Sequence, residues 1–282
     1  MELKPDFAFK WVRSNPVLPA FIYGFPEHEA DQYQVNHQQI LEPYVSIKFA
    51  EHLTACCRTK RGRRGHFLDV GGNFGWFALL AAASGCDVDT FEPVDWFRHV
   101  LQSSLKLNEF VLGKFNVHSL IVSDIPGKTL TLHVPSDVDA LLGAAGVDGL
   151  NVRNSAILLE KNTTTIDRMF LPETRSRRSC GLKVDVEGLE PRVFAGGSRF
   201  IKEKRPSMIV IELSPGMSSI GIEDMLDLFR RSEYKPHQLS WNVIKSYDRS
   251  EWSKPLSDYA VIWNYTQIIQ RCGFNCMLML TR

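Results

Sequence analysis

From His66 onward, short apolar runs alternate with helix-like patterns, and this alternation limits the possible folds more than any other feature of the chain. It is the mark of βαβ units arranged around a parallel sheet. Residues 67–82, FLDVGGNFGWFALLAA, read as strand, Gly-rich turn and wholly apolar helix. Residues 86–94 read as a second strand, leading to a helix with Phe97, Val100, Leu101 and Leu105 on one face. A third strand is expected at 115–124. A hairpin strand should follow at 127–134, where Leu130, Leu132 and Val134 alternate with polar residues. Residues 135–162 are Gly-rich and poorly periodic, which predicts a mobile insertion. Buried strands are then expected at 180–188 and 208–213, the first followed by a helix from Pro191. After the second, Ile222, Met225, Leu226 and Phe229 mark an amphipathic helix. Segments 237–241, 259–263 and 276–281 supply closing strands.

The first 65 residues have a different character. Pro5, Pro16, Pro19, Pro26 and Pro43 interrupt them, and only 43–57 carries a helical period, with Val45, Phe49 and Leu53 four residues apart. The organisation expected is an N-terminal helical cap, 1–65, leaning on a main α/β domain, 66–282.

Composition excludes several classes. With 33 Lys+Arg against 32 Asp+Glu the net charge is +1, without the basic excess of a nucleic-acid binder. The apolar run at 76–83 is far short of the ~20 residues that span a bilayer. Residues 1–25 are charged at Glu2, Lys4, Asp6, Lys10 and Arg13, so no signal peptide is expected. The six cysteines, at 56, 57, 86, 180, 272 and 276, form no C-x-x-C pair. They read as reduced thiols packed as small hydrophobes, which points to a cytoplasmic setting.

In an open α/β sheet, ligands bind outside the carboxyl ends of the strands. Asp69, Glu92, Ser123-Asp124, Asp185 with Glu187, and Glu212 all fall at or just past such ends, so five strands each bring an acid to one edge. The basic clusters 58–64 and Arg175, Arg177 and Arg178 precede strands and belong on the opposite edge. The turn Gly71-Gly72-Asn73-Phe74-Gly75 is the sharpest motif. A dinucleotide fingerprint begun at Gly71 would need Gly at 73 and 76, where Asn73 and Trp76 stand, and no Lys-Ser/Thr follows to make a phosphate loop. Acids around the turn would repel a pyrophosphate but suit a ligand carrying an ammonium or sulfonium. Glu92, ending the second strand, is placed to accept both hydroxyls of a ribose.

The ordered set Asp69-V-G-G-N-F-Gly75, F-Glu92-P, V-Ser123-Asp124, T-T-I-Asp167, K-V-Asp185-V-Glu187-G-L-Glu190 and R-P…I-Glu212 resembles the FkbM-type S-adenosylmethionine-dependent methyltransferases over roughly residues 66–215. The resemblance implies a Rossmann-like class I sheet of seven strands, mostly parallel with the last antiparallel, flanked by helices. It implies S-adenosylmethionine as cofactor, with Asp69, Gly71, Gly72, Asn73 and Gly75 around its methionine part. Glu92 would hold the ribose and Ser123 with Asp124 would lie by the adenine. Gly72 stands where the family more often has Ala. The activity implied is methylation of a hydroxyl on a sugar or other small metabolite.

A hydroxyl acceptor must lose its proton to a positioned base. Asp185 and Glu187 are the expected catalytic pair, one as base and one orienting the acceptor; the alternative is that Glu187 caps the next helix while Asp185 bonds backbone amides. Paired carboxylates also suit a divalent cation, whose remaining ligands the sequence does not fix. Asn108 is expected to cap a helix, His118 and His133 to pack or face solvent, and Trp11, Trp241, Trp252 and Trp263 to fill core or to stack a flat acceptor. Two other readings stay open: a binding module that keeps the cofactor without turnover, and a nicotinamide-dependent oxidoreductase, against which the glycine register speaks. The partner expected is a small hydroxylated molecule, with no nucleic acid and no membrane span; oligomeric state is not readable.

Overall fold

The computed structural model describes residues 9–26, 38–58, 64–108, 113–135, 145–147, 155–171, 178–214, 217–246, 248–271 and 276–282. In chain order, β1 (Phe9–Arg13) and β2 (Ile22–Pro26) precede α1 (Pro43–Cys57), β3 (His66–Val70), α2 (Trp76–Ala83), β4 (Asp87–Phe91) and α3 (Asp95–Leu107). Next come β5 (Phe115–His118), β6 (Ile121–Val122), β7 (Thr129–Pro135), β8 (Gly146–Val147), β9 (Ser155–Thr164) and α4 (Ile166–Phe170). Then follow β10 (Ser179–Val184), α5 (Glu190–Gly196), α6 (Ser198–Lys204), β11 (Met208–Leu213), α7 (Ser219–Arg231) and β12 (Lys235–Ser240). The chain finishes with α8 (Trp241–Ile244), α9 (Arg249–Ser253), α10 (Tyr265–Arg271) and β13 (Cys276–Thr281).

Seven strands form the central sheet in the order β12-β13-β11-β10-β3-β4-β5. β13 runs antiparallel to both neighbours, while β11, β10, β3, β4 and β5 pair in parallel. The expected class I α/β sheet with an antiparallel last strand is therefore present. β3 and β10 are buried along their whole length, as central strands covered on both faces should be. α2 is apolar all round because it is sunk in the core. α3 instead buries only Phe97, Val100, Leu101 and Ser104, with Asp95 in its first turn and Lys106 in its last to suit the helix dipole. Each Leu or Phe so enclosed contributes about 1.5–3 kcal/mol.

The sequence expectation needs amending in several places. The segment before α1 is a β1–β2 hairpin, and Asn108, capping α3, ties it down: its amide donates to the Ser104 and Ile22 carbonyls and accepts from the Ile22 N–H. The expected strand at 115–124 is split, because β6 leaves the main sheet to pair with β9. Within 135–162, β8 and β9 join β7 in a second sheet, so this stretch is built structure where it is described; 136–144 and 148–154 lie outside the described residues. Segment 259–263 contributes one bridge, Val261 to His237, in place of a strand.

The cysteine expectation is overturned. Cys56 is disulfide-bonded to Cys180 and Cys57 to Cys86, with Cα atoms 5.7 and 4.9 Å apart, and Cys276 is also in a disulfide. Adjacent residues at the end of α1 thus clamp that helix to β10 and to the turn before β4. Partners 124 and 29 residues away leave no local spacing signal, so the pairing was invisible in the sequence. Such bonds persist in oxidising surroundings, which removes the thiol argument for a reducing compartment.

Candidate active site

The turn after β3 is shaped by contacts that only glycine permits. Gly71 has φ +85° and lies so close to β10 that a Cβ would stand 1.7 Å from the Asp185 carbonyl oxygen. Gly72 has ordinary backbone angles, but a Cβ there would meet Thr90 Oγ1 at 2.2 Å. Thr90 is thus the local reason that alanine does not fit at 72. The Gly71 and Gly72 amides both donate to the Phe91 carbonyl, at 3.0 and 2.9 Å, fixing the turn over the end of β4.

Glu92 sits just past that strand end. Its Oε2 accepts from the Asn73 N–H and its Oε1 from the Val94 N–H, both at 2.8 Å. Burial pushes its carboxyl up to about 7 against the pull of these amides. Asp69 is 1% exposed, and burial likewise raises it to about 7. Thr90 donates to Asp69 Oδ2 at 3.4 Å, while Oδ1 has no hydrogen-bond partner among the described residues.

On the neighbouring strand, Lys183 donates to Asp185 Oδ2 at 2.7 Å and lies over the Phe77 ring. Lys183 stands in register with Asp69. Glu187 adopts a left-handed φ of 54°, followed by Gly188 at φ 108°. Burial, then the nearby Asp185 charge, lifts its carboxyl to about 8. Glu212, on β11, is driven well above the ordinary carboxylate range by burial and then by Asp185. Glu190 braces the backbone instead. Its Oε1 accepts from the Val186 and Gly188 amides at 3.1 and 3.2 Å, holding the turn that carries Glu187.

These groups surround one cavity of about 380 Å³. Asp69, Gly71, Gly72, Asn73, Gly75 and Glu92 line it together with Lys183, Asp185, Glu187 and Glu212. Ser123 and Asp124 do not line it. Ser123 donates to Asp124, whose Oδ1 also receives the Arg192 guanidinium at 2.9 Å. Trp241, one of the tryptophans singled out in the sequence, also lines it, while the remaining wall was not read from the sequence: Tyr23 from β2, Glu42 before α1, Leu132 and Val147 from the second sheet, and Lys245 after α8. Lys183 was legible, since Lys-Val-Asp on a strand puts both charged side chains on one face. Among the described residues, no group of three or more His, Cys, Asp or Glu is arranged to hold a metal, and no helix is long and apolar enough to cross a membrane.

A seven-stranded, mostly parallel sheet with a glycine turn and an acid at the next strand end is the frame that class I S-adenosylmethionine-dependent methyltransferases use. Residues 69–236 match the Methyltransferase FkbM domain, and the chain belongs to that family. None of the curated proteins matches it. Among solved structures, it is similar to the methyltransferase FkbM from Methylobacillus flagellatus KT (15% identity, 90% of this chain and 56% of that one, TM-score 0.42). It is also similar to the tRNA (uracil-54, C5)-methyltransferase of Pyrococcus abyssi in complex with S-adenosyl-L-homocysteine (14%, 71% and 34%, TM-score 0.33). A third is the precorrin-6y C5,15-methyltransferase of Geobacter metallireducens GS-15 (9%, 95% and 97%, TM-score 0.40). The chain thus spans about half the length of the first and a third of the second. The residues present fit the family's cofactor. Asp69 offers a buried, unsatisfied carboxylate oxygen beside a turn into which side chains cannot intrude.

Proposed function

We propose that this chain transfers a methyl group from S-adenosylmethionine to a hydroxyl of a sugar or other small metabolite. The observation that carries the reading is the continuity of the cavity. The glycine turn, Asp69, Glu92, the Asp185–Glu187 turn and Trp241 all line the same space. In this reading Asp69, Gly71, Gly72, Asn73 and Gly75 hold the methionine part of the cofactor. Glu92, its carboxylate already aimed by two backbone amides, takes the ribose hydroxyls, and Ser123 with Asp124 flanks the adenine side just beyond Val122.

When bound, the cofactor supplies a methyl group activated by its sulfonium; the protein aligns the acceptor, excludes water and disposes of a proton. Asp185 and Glu187 provide the proton-accepting and orienting carboxylates. Trp241 offers a flat apolar face to a sugar ring. Residues 1–65 act as a cap, contributing Tyr23 and Glu42 to the acceptor side of the wall. The disulfides favour an oxidising compartment as the place of action.

Calorimetric titration with S-adenosylmethionine, S-adenosylhomocysteine and NAD, on wild type and Glu92→Ala, tests the cofactor assignment. Binding of the first two alone is expected, weakened in the variant by at least ~1 kcal/mol for the lost charge-assisted hydrogen bonds. Transfer of labelled methyl to members of a panel of free sugars and small alcohols is the expected activity. Binding of NAD alone, or transfer confined to nucleic acid, would overturn the reading.

A further inference from the structure

Asp185 is the obvious carboxylate to receive a proton, yet its Oδ2 is held by Lys183 at 2.7 Å. The register of β10 and β11 indicates a better-placed group. Val184 stands opposite Ile211, so the next positions along the edge, Asp185 and Glu212, are side by side. Glu212 lines the cavity together with Glu187 and, among the described residues, forms no hydrogen bond or ion pair. Glu187 reaches the same space from a left-handed backbone position on the turn that Glu190 holds.

We propose that Glu212 is a catalytic residue of this site, its carboxyl keeping a proton in the free protein among the acids that face it, losing it on binding of the sulfonium and then accepting the proton of the acceptor hydroxyl. The inference rests on the methyltransferase reading above and deepens it. In the transfer, the hydroxyl oxygen forms its bond to the methyl carbon as the carbon–sulfur bond breaks. That electron pair stays on sulfur, which becomes a neutral thioether, and the hydroxyl proton passes to the Glu212 carboxylate. Charge explains why a proton is retained beforehand. The groups facing Glu212 are Asp185 and Glu187 from the β10 turn, Glu42 from the start of α1 and Lys183 from β10. Lys245 lines the same cavity from the end of α8. With Lys183 engaged by Asp185, further ionised glutamates facing the same space would repel one another, so a protonated Glu212 is favoured until a cation enters.

The free protein tests this without a known acceptor. Titration calorimetry near pH 7.5 in phosphate and in Tris counts protons exchanged on binding, because the buffers differ in ionisation enthalpy. S-adenosylmethionine should release roughly half a proton or more beyond S-adenosylhomocysteine, which lacks only the methyl group and its positive charge. In Glu212→Gln that difference should vanish while both ligands still bind. Wild type alone gives a second readout: from pH 6 to 9 the affinity for S-adenosylmethionine should rise at least threefold more than that for S-adenosylhomocysteine. Equal proton counts, parallel pH profiles or an undiminished difference in Glu212→Gln would overturn the role of Glu212 and leave the cofactor assignment standing. Failure of both ligands to bind wild type would bring down the methyltransferase reading and this inference with it.

Discussion

Lys183 Nζ donates to Asp185 Oδ2 at 2.7 Å, and this contact sets the charge balance of the cavity. Asp69 in register on one side and Glu212 beside Asp185 on the other make Lys183 the cation around which the acids are arranged. Lys183→Met keeps an apolar side chain of similar length and removes the charge that lies over Phe77. The expected loss is about 3 kcal/mol, at the lower end for a buried pair because Asp185 is a quarter exposed. Protonation relieves the stranded acids, so urea unfolding should show a smaller loss at pH 5 than at pH 8. An equal loss at both values would mean that packing, not charge, is what Lys183 supplies.

Gly72 and Thr90 should be energetically coupled. Gly72→Ala alone drives a methyl into Thr90 Oγ1, whereas in a Thr90→Ala background that atom is gone. The single change is expected to cost about 1–3 kcal/mol as local overpacking. The double-mutant cycle should return at least ~1 kcal/mol of coupling. Additive effects would remove Thr90 as the reason glycine stands at 72.

Asp89 lies on the buried face of β4, where His66 Nε2 approaches Oδ2 at 2.9 Å and His118 Nε2 approaches Oδ1 at 2.7 Å. Burial opposes its ionisation, but His118, His66 and Asn116 outweigh it and hold the carboxyl well below the usual range. A depressed folded-state pKa gives stability that is present above the unfolded value, near 3.9, and is lost as pH falls further toward the folded value. Asp89→Asn should therefore cost about 2–3 kcal/mol at pH 7. Its deficit should shrink below about pH 4, where wild type loses the same contribution. Unfolding midpoints across pH 3–7 check this; a constant deficit would contradict it.

The Cys57–Cys86 bond closes a short loop between α1 and β4. Replacing both residues with serine should lower stability by about 3 kcal/mol, chiefly by freeing the unfolded chain. Thermal melts of the variant and wild type, each with and without reductant, provide the measurement. The variant should respond less to reductant than wild type does.

The sheet was legible because its central strands carry continuous apolar runs and its helices a clear period; β13 coincides with the expected 276–281. Asp69, the glycine turn and Glu92 were equally legible, as local motifs at strand ends that the structure brings to one cavity. What escaped was whatever depends on contacts between distant segments. Tyr23 and Glu42 come from a region whose prolines conceal a hairpin, and the half-cystines meet across 29 and 124 residues. Glu212 was placed on the right edge, but only the β10–β11 register puts it beside Asp185.

The two parts of the cavity wall have different origins. One part is cut from the sheet itself, where a change at Gly71 disturbs β10 and one at Glu92 disturbs the turn. The far wall is assembled from peripheral pieces: Tyr23 from the hairpin, Leu132 and Val147 from the second sheet, Trp241 from α8. Substitutions there leave the strands of the central sheet untouched. The shape of that part of the cavity can therefore be altered by substitutions that leave the central sheet as it is.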